Sequence, residues 1–592
     1  MKSTIIGAVL AAAVHALPAL TERDYGTTKA TLYSIPNFDP NTQSRADALA
    51  VKQKGWLYGS EALGVAPYPV GTLANKTLTE QQNQWYSTLL NISKMISEDT
   101  QAALKALNAE GEFKSLDDYG RLYDNLWQQT VPDGLFPGML SNYTDDRLFS
   151  MMRLSASPYR IRRVQRSDAL LFPVDNAASI TGLSQKQLQS QGRLFSVDYS
   201  DLKDLPPAEQ WGAGCQAYFY IHPKSGDFLP LAIKPILKGM EEKALVYTPE
   251  DKPTDWMLAK LMFNQNDNWH VTFAHITQSH SAAEAPYLAA IRAFSDDHPI
   301  LAIMNRFEKT PWGIRPLLET TVVESGVGNH YYPWTGYAAR QYTNQVYSSG
   351  EVSNFQSNYY RTNLENRGLI NSRFGPALKH FPFYEDTSVV VGIMRDFMED
   401  FIYSYYPNDR AVLEDKELQN WAREGQIAKV RDFPTSIPNR ETVVDMLTHM
   451  AYLGSVVHSV MSSNGAIGDS ASLPFAPSAF WKPLPTEKGV TDIMQYMPPI
   501  DGAVWQVSTL AGANRAIWRN TNETMSHMFD DDTMLSRMNG GTKAAAAKFK
   551  AAMYHFSDVV RARKFDKDGL SQGLPFMWNV LDPNWAPYWS VV

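Results

Sequence analysis

The sequence predicts a mainly α-helical protein built as one large domain with a small β element. Of its 592 residues, 44% are hydrophobic and 12% are aromatic, which is enough to bury a large core. Segments with apolar residues at helical spacing occupy much of the chain, whereas strand-like runs are few. No internal repeat, low-complexity tract or clear linker divides the chain.

The first residues are typical of a secretory signal peptide. They read "MKSTIIGAVLAAAVHALPAL", with an early lysine, an apolar run and the small-residue site "VHA". We therefore expect residues 1–16 to be a signal peptide, 17–54 a polar lead segment and 55–592 the main domain. No later stretch reaches about 18 uncharged apolar residues, the least that spans a bilayer. The sequence thus predicts a soluble, secreted protein.

Four glycosylation sequons agree with secretion, and other simple features restrict the class of protein. The sequons begin at Asn75, Asn91, Asn142 and Asn522. The single cysteine, Cys215, excludes an internal disulfide. The net charge of −8 argues against a nucleic-acid partner.

Four segments carry the fold prediction. In chain order they are a strand-rich region near 215–237, an apolar helix at 256–285 without Pro or Gly, a buried helix at 386–406 that Pro407 ends, and an Ala- and Lys-rich helix at 543–564. Helices therefore dominate, and the strands form one small element.

The motif "WHVTFAHITQSH" is the strongest chemical signal. It places His270, His275 and His280 at intervals of five, in a chain with 12 histidines. Neighbouring positions in this ladder lie about 140° apart on a regular α-helix, so they cannot share a metal there. A π-type bulge could bring two of them onto one face. If His275 and His280 bind one ion, the helix should bulge; otherwise they are buried histidines with local hydrogen bonds.

Further along, "MLTHMAYLGSVVHSVMSSNGAIG" predicts another apolar helix, with His458 deep inside it. Taken alone, such a histidine is more often a core residue with its hydrogen bonds made than a metal ligand. The sequence lacks the G-x-S-x-G, P-loop, G-x-G-x-x-G and H-E-x-x-H motifs, so the common hydrolase, nucleotide and zinc-protease signatures are missing.

Several long motifs resemble the lipoxygenase family, in the family's order. They are "WMLAK" with the histidine ladder, "HFPFYEDTSVVVGIMRDFMEDFIYSYYP" followed by "LEDKELQNWARE", the "VVH" helix, and the chain end "WSVV". The resemblance covers about residues 55–592 and implies a lipoxygenase-type helical catalytic domain. The secretory signal, and the apparent lack of the family's N-terminal β-barrel, make the chain most similar to the secreted fungal manganese members.

The resemblance implies a metal centre with a specific ligand set. Its second and third ladder positions, His275 and His280, would bind the ion together with His458 and the main-chain carboxylate of Val592. His270 would then be a neighbour with a structural role. Three imidazoles and one carboxylate suit a redox-active ion, which we expect to be Mn, with Fe as the alternative.

One position departs from the family pattern. Lipoxygenases usually have Asn, sometimes His or Ser, four residues after the third histidine, where this chain has Ser462. Ser462 lies about 40° around the helix from His458, whereas Asn464 lies about 120° away on the other side. We expect loose coordination by Ser462, or a water in its place. Asn464 could bind only if the helix breaks before "SNG".

The resemblance also implies the reaction. A metal(III) hydroxide would take a hydrogen atom from the bis-allylic carbon of a polyunsaturated fatty acid such as linoleic or linolenic acid, and O₂ would add to give a hydroperoxide. The alternatives are a hydroperoxide isomerase-type homologue with altered coordination, and a secreted lipid-binding protein with a vestigial site. The sequence does not indicate the oligomeric state.

Two residues are candidates for substrate contacts. In "ANRAIWRNTNE", Arg515 and Arg519 would share one face if the segment is helical, and resemblance to the secreted fungal members favours Arg515 for the fatty-acid carboxylate. A surface arginine is the alternative. A small residue beside the channel sets stereochemistry in this family, and Gly350 is the candidate within 345–350. The R or S outcome stays open.

Overall fold

The computed structural model describes residues 32–61, 66–313, 315, 323, 326–463, 465 and 472–590. The predicted signal peptide, Asn464 and Val592 lie outside the described residues. The α-helices are, in chain order, α1 Thr42–Gly55, α2 Thr72–Glu110, α3 Met139–Asn142, α4 Asp146–Met151, α5 Ala177–Thr181, α6 Gln185–Ser190, α7 Pro253–His275, α8 Ala282–Ala293, α9 Pro299–Phe307, α10 Gly336–Ser348, α11 Tyr360–Asn366, α12 Pro382–Tyr405, α13 Asp409–Glu414, α14 Lys416–Ile427, α15 Arg440–Tyr452, α16 His458–Met461, α17 Ile500–Ala511, α18 Asp532–Arg537 and α19 Gly540–Arg561.

Two π-helical segments continue these helices. Ile276–Ser281 joins α7 to α8, and Leu453–Val457 joins α15 to α16. The predicted helices are confirmed: 256–285 falls within α7, the first π-segment and α8, while 386–406 and 543–564 correspond to α12 and α19.

The strands form two small antiparallel sheets. They are β1 Leu57–Glu61, β2 Pro67–Val70, β3 Arg162–Arg163, β4 Leu194–Asp198, β5 Gly214–Ile221 and β6 Phe228–Ile236. β1 pairs with β2, and the other four follow the order β3-β4-β5-β6. The strand region predicted near 215–237 is confirmed by β5 and β6.

Helix α7 runs through the core, and polar contacts along it bind it to neighbouring segments. Its residues are buried without a break from Asp255 to Val271, including the polar run Asn264–Asn268. Burial of such groups is costly unless they are hydrogen-bonded. Asn266 meets this need by accepting from the Cys215 amide of β5 at 2.7 Å, and Asp267 forms a buried ion pair with Arg153. The first bond fixes α7 against the larger sheet, and the second fixes it against the short turn Met152–Leu154.

Aromatic stacking joins α12 to the C-terminal region. The ring of Phe397 stacks on Phe529 with centroids 3.7 Å apart and meets Phe549 of α19 edge-on at 5.8 Å. Such pairs stabilise a core beyond the area that they bury. The apolar faces of α12 and α19 therefore pack against each other.

The described end of the lead segment packs on the helical body. Arg45 of α1 is buried, and its Nε donates to Glu417 Oε1 of α14 at 2.6 Å. Glu417 Oε2 also accepts from the Ser295 amide at 2.8 Å. Among the described helices, none combines the length and apolar composition needed to cross a membrane.

Candidate metal centre

Three histidines from two helices meet in the core. His275, His280 and His458 are all buried, and each offers a ring nitrogen within 4.8 Å of the others. The ring centroids lie 5.7 Å apart for His275 and His280, 5.9 Å for His275 and His458, and 4.9 Å for His280 and His458. The structure therefore brings together the three histidines that the family resemblance selects.

The predicted bulge between the two ladder histidines is confirmed. The backbone is π-helical over Ile276–Ser281, between His275 at the end of α7 and the start of α8. A π-turn takes more residues than an α-turn, so residues five apart lie on one side of the helix. This local widening allows His275 and His280 to face the same point.

A second π-segment, which the sequence did not reveal, precedes His458. Leu453–Val457 is π-helical, and His458 begins the short helix α16. A Cβ on Gly454 would lie 3.3 Å from the carbonyl oxygen of Phe307, a tight contact that favours glycine. A glycine inside an apolar helical pattern signals a close backbone approach, and this was the available clue.

The ring nitrogens are arranged as metal donors. Nδ1 of His275 donates to the Val271 carbonyl at 3.2 Å, which leaves Nε2 with its lone pair. His458 Nδ1 lies 3.1 Å from Ser463 Oγ. Within the described residues, Nε2 of all three rings and Nδ1 of His280 are buried without a hydrogen-bond partner. Buried polar atoms are rarely left unpaired, so these nitrogens fit a bound cation.

Burial also sets the protonation state that a metal needs. It lowers the pKa of His275 to about 4 and the pKa values of His280 and His458 well below the ordinary histidine value. Nearby imidazoles and Arg515 act in the same direction on His458. All three rings are therefore neutral at pH 7, and neutral imidazole is the form that binds metals.

His270 lies apart from the cluster, as expected for a neighbour. Its Nδ1 is 2.7 Å from the hydroxyl of Tyr342 on α10, and its ring packs against Tyr199 with centroids 5.6 Å apart. The equal spacing of the ladder therefore hides two different roles, because His275 directly precedes the π-segment and His280 lies within it, whereas His270 is a turn or more before it.

The chain leaves helical geometry just after His458. Helix α16 ends at Met461, and Ser462 has φ −129° and ψ −80°. Ser462 is buried, and its amide donates to the His458 carbonyl at 2.9 Å. The helix thus breaks before "SNG", which was the condition set for Asn464, although Asn464 itself lies outside the described residues. The choice between Ser462, Asn464 and water stays a prediction.

The C-terminal chain approaches this centre. Ser590, the last described residue, donates from Oγ to the carbonyl of Gly454 in the second π-segment at 3.3 Å. The preceding Trp589 is anchored by a bond from Nε1 to Glu523 at 2.9 Å. Val592 lies outside the described residues, two positions beyond a contact with the segment that carries His458.

Arg515 and Arg519 have different surroundings in the structure, which the sequence did not show. Helix α17 ends at Ala511, and only Ala516–Trp518 forms a short 3₁₀ turn, so the condition for Arg515 and Arg519 to share a helical face is not met. Arg519 pairs with Asp133 near the surface. Arg515 is 1% exposed and has no carboxylate partner within the described residues. Burial lowers its pKa to about 9.

Gly350 has a backbone reason to be glycine. It follows α10 with φ +83°, a conformation that side chains disfavour. A Cβ there would also lie 2.9 Å from Asn354 Oδ1 and 3.2 Å from Arg431 Nη1. The backbone conformation and these contacts are sufficient reasons for glycine at this position, whether or not it lies beside a substrate channel. The effect of Gly350 on stereochemistry therefore stays a prediction.

The helical fold and the cluster of neutral imidazoles define a non-haem metal-binding protein. Residues 173–565 match the family model described as Lipoxygenase. The chain belongs to the lipoxygenase family.

Within the family, the chain is similar to fungal manganese lipoxygenases. It is 37% identical to the one from Fusarium oxysporum strain Fo5176, over 97% of this chain and 95% of that protein. It is 39% identical to the one from Nakataea oryzae, over 94% and 92%. The solved structure of manganese lipoxygenase of Gaeumannomyces graminis superposes with a TM-score of 0.91 at 37% identity, covering 95% of this chain and 100% of that one.

Proposed function

We propose that this protein is a manganese-dependent dioxygenase that converts polyunsaturated fatty acids, with linoleic acid as the reference substrate, into hydroperoxides. The observation that carries the proposal is the set of three buried, neutral imidazoles that converge within a lipoxygenase fold and whose Nε2 atoms have no hydrogen-bond partner among the described residues. Manganese is favoured over iron because the similar curated proteins are named manganese lipoxygenases.

The residues that would hold the ion are His275, His280 and His458, joined by the carboxylate of Val592. The bond from Ser590 to Gly454 supports this last assignment, because it directs the end of the chain toward the helix of His458. Ser462, Asn464 or a water would complete the set. When bound, manganese supplies the one-electron chemistry by which lipoxygenases oxidise a bis-allylic methylene.

The protein's own contribution is to fix neutral donors and exclude water. The three imidazoles carry no charge at pH 7, so the proposed carboxylate would be the one anionic protein ligand, and this low negative ligand charge favours a strongly oxidising centre. The site lies in the core, with each histidine no more than 9% exposed. An apolar surround limits solvent access and keeps reactive species from side reactions.

Arg515 is the proposed partner of the fatty-acid carboxylate. A buried guanidinium without a carboxylate is costly, and an anionic ligand would remove this cost. Arg515 also lies close enough to the centre to depress the pKa values of His275 and His458, after the larger effect of burial. One end of the substrate would then be fixed within reach of the metal.

We also propose secretion with N-glycosylation. Asn75, Asn91 and Asn522 are exposed, as glycan acceptors must be. Asn142 is only half-buried, but its amide nitrogen donates to the carbonyls of Gly138 and Pro575 at 2.9 and 2.8 Å, so it is the least available sequon. A mass shift on removal of N-glycans from protein made in a fungal host tests this proposal.

Two measurements test the enzymatic proposal. Elemental analysis of purified protein should find one manganese per chain; absence of metal would favour a lipid-binding protein with a vestigial site. Incubation with linoleic acid should consume O₂ and produce a conjugated diene that absorbs in the ultraviolet. Conversion of an added hydroperoxide without diene formation would indicate the isomerase-type alternative instead.

A further inference from the structure

A buried ion pair adjoins the end of the first π-segment. It joins Arg315 to Glu284, whose side chains are 2% and 0% exposed. Glu284 lies on α8 four residues after His280, which is one helical turn further along the same face. The negative member of the pair therefore belongs to the helix that carries one of the three histidines.

Arg315 contacts three separate parts of the fold. Besides Glu284, its Nη2 donates to Ser281 Oγ at 3.4 Å, in the residue directly after His280. Its Nη1 donates to the carbonyl of Ala66, which precedes β2, also at 3.4 Å. One guanidinium thus ties the end of the π-segment and the first turn of α8 to the N-terminal sheet.

The three histidines differ in how their rings are oriented. His275 is held through Nδ1 by the Val271 carbonyl, and His458 through Nδ1 by Ser463. Neither ring nitrogen of His280 has a hydrogen-bond partner within the described residues. Metal-binding histidines usually have the second ring nitrogen hydrogen-bonded, which fixes the ring. Since no such bond among the described residues fixes the His280 ring, the placement of its backbone matters more than it does for the other two histidines.

The backbone around His280 is the π-segment Ile276–Ser281, and contacts from other parts of the fold help to stabilise it. A π-segment is a local irregularity that persists where its surroundings stabilise it. Ser281 ends this segment, and the Arg315 contacts to Ser281 and Glu284 bracket the exit from π- to α-geometry. Since arginine presents several donors in a rigid plane, it can hold such an arrangement more firmly than lysine.

We propose that Arg315 and Glu284 are positioning residues, which hold His280 for metal binding by clamping the end of the π-segment. The inference rests on the proposed metal site. Glu284 and Arg315 do not themselves bind the ion; they act through the side chain of Ser281 and the first turn of α8, which follow His280 directly.

The test measures Mn(II) affinity of the chelator-stripped protein by the electron paramagnetic resonance signal of free Mn(II). The variants are Glu284→Gln, Arg315→Lys and the double variant Glu284→Leu with Arg315→Met. We expect each to weaken binding about tenfold or more, as loss of supporting contacts does at other metal sites. The matched control is Arg292→Met, which breaks a second ion pair of α8, with Glu424 at 2.7 Å, and should leave Mn(II) affinity unchanged.

Thermal unfolding midpoints of the metal-free proteins separate positioning from folding. The double variant buries no unpaired charge, so it should unfold near the wild-type temperature. Reduced affinity in this folded protein supports the clamp, whereas wild-type affinity in both the double variant and Arg315→Lys overturns it. Absence of Mn(II) binding by the wild type would instead overturn the proposed metal site.

Discussion

The imidazole rings of His280 and His458 lie 4.9 Å apart and nearly perpendicular, although they come from distant parts of the chain. A π-helical segment accompanies each position: Ile276–Ser281 contains His280, and Leu453–Val457 directly precedes His458. Two local departures from α-geometry therefore create the point at which both rings converge with His275.

The three clustered histidines should be necessary for metal binding. Replacing His280 or His458 by Gln removes an imidazole donor from a buried site, and we expect the manganese content to fall close to zero. Elemental analysis of the purified variants measures this directly. Diene formation from linoleic acid should disappear with the metal.

His270→Gln is the control for that experiment. His270 is buried on the same helix, but its Nδ1 bonds to Tyr342 and its ring lies outside the cluster. This variant should retain manganese even if its stability falls. Loss of metal from His270→Gln in folded protein would contradict the assignment of the ladder.

Arg515→Met should weaken binding of the fatty-acid carboxylate. A hydrogen bond to a charged group contributes about 1.5–3 kcal/mol, so KM for linoleate should rise roughly 10- to 100-fold. KM for methyl linoleate, which carries no charge, should change little. Arg519→Met is the matched control, because Arg519 pairs with the exposed Asp133. An equal rise in KM for acid and ester would argue against a carboxylate contact.

Ser463 should matter more than Ser462 for the orientation of His458. Ser463 Oγ lies 3.1 Å from His458 Nδ1, and loss of such a contact typically costs 10- to 100-fold in metal affinity, so we expect about tenfold for Ser463→Ala. Ser462→Ala should have the smaller effect, since a water can replace a loosely bound hydroxyl. The reverse order in a Mn(II) titration would indicate that Ser462 binds the ion firmly.

Changes at the C-terminus should abolish activity. Deleting Val592, or appending a tag to it, removes or displaces the carboxylate proposed as a ligand. Ser590 already contacts Gly454, close to the His458 helix, so a displaced carboxylate could not easily return to the metal site. Dioxygenase assays of tagged and untagged protein provide the comparison, and full activity with a tag would refute the carboxylate ligand.

The stability of the protein should fall in mild acid partly because of His449. This residue is buried against Phe355 and Tyr359, and burial lowers its pKa to about 3. The unfolded state takes up a proton below its pKa of about 6.5, whereas the folded state resists until about pH 3. The stabilisation is therefore complete above pH 6.5 and is lost progressively as the pH falls toward 3.

The expected size of this effect follows from proton linkage. At pH 5.5 one such histidine lowers the free energy of unfolding by about 1.4 kcal/mol relative to high pH. In His449→Leu, the decrease between pH 8 and pH 5.5 should be smaller by that amount. Urea unfolding of both proteins at the two pH values measures the difference, and equal decreases would exclude His449 as a source.

The spacing of the histidine ladder was sufficient to predict one irregularity of the backbone. Intervals of five residues are incompatible with a shared ligand on a regular helix, so a bulge between His275 and His280 followed from geometry once a common ion was assumed. The second π-segment had no such signal, since it places a single histidine. Whether the segment around Arg515 and Arg519 is helical also stayed open in the sequence; α17 ends at Ala511, and only Ala516–Trp518 forms a short 3₁₀ turn.

The sequence by itself determined the helical class and the long core helices, because apolar periodicity is a local property. It offered His275, His280 and His458 only as candidates, and the resemblance to lipoxygenases selected them as ligands. Only the tertiary structure decided that His458 meets the ladder, and that Arg515 is buried with no carboxylate partner among the described residues while Arg519 pairs with Asp133. Each of these depends on contacts between residues or elements whose relative placement no single segment encodes. Burial and convergence are properties of the packed core.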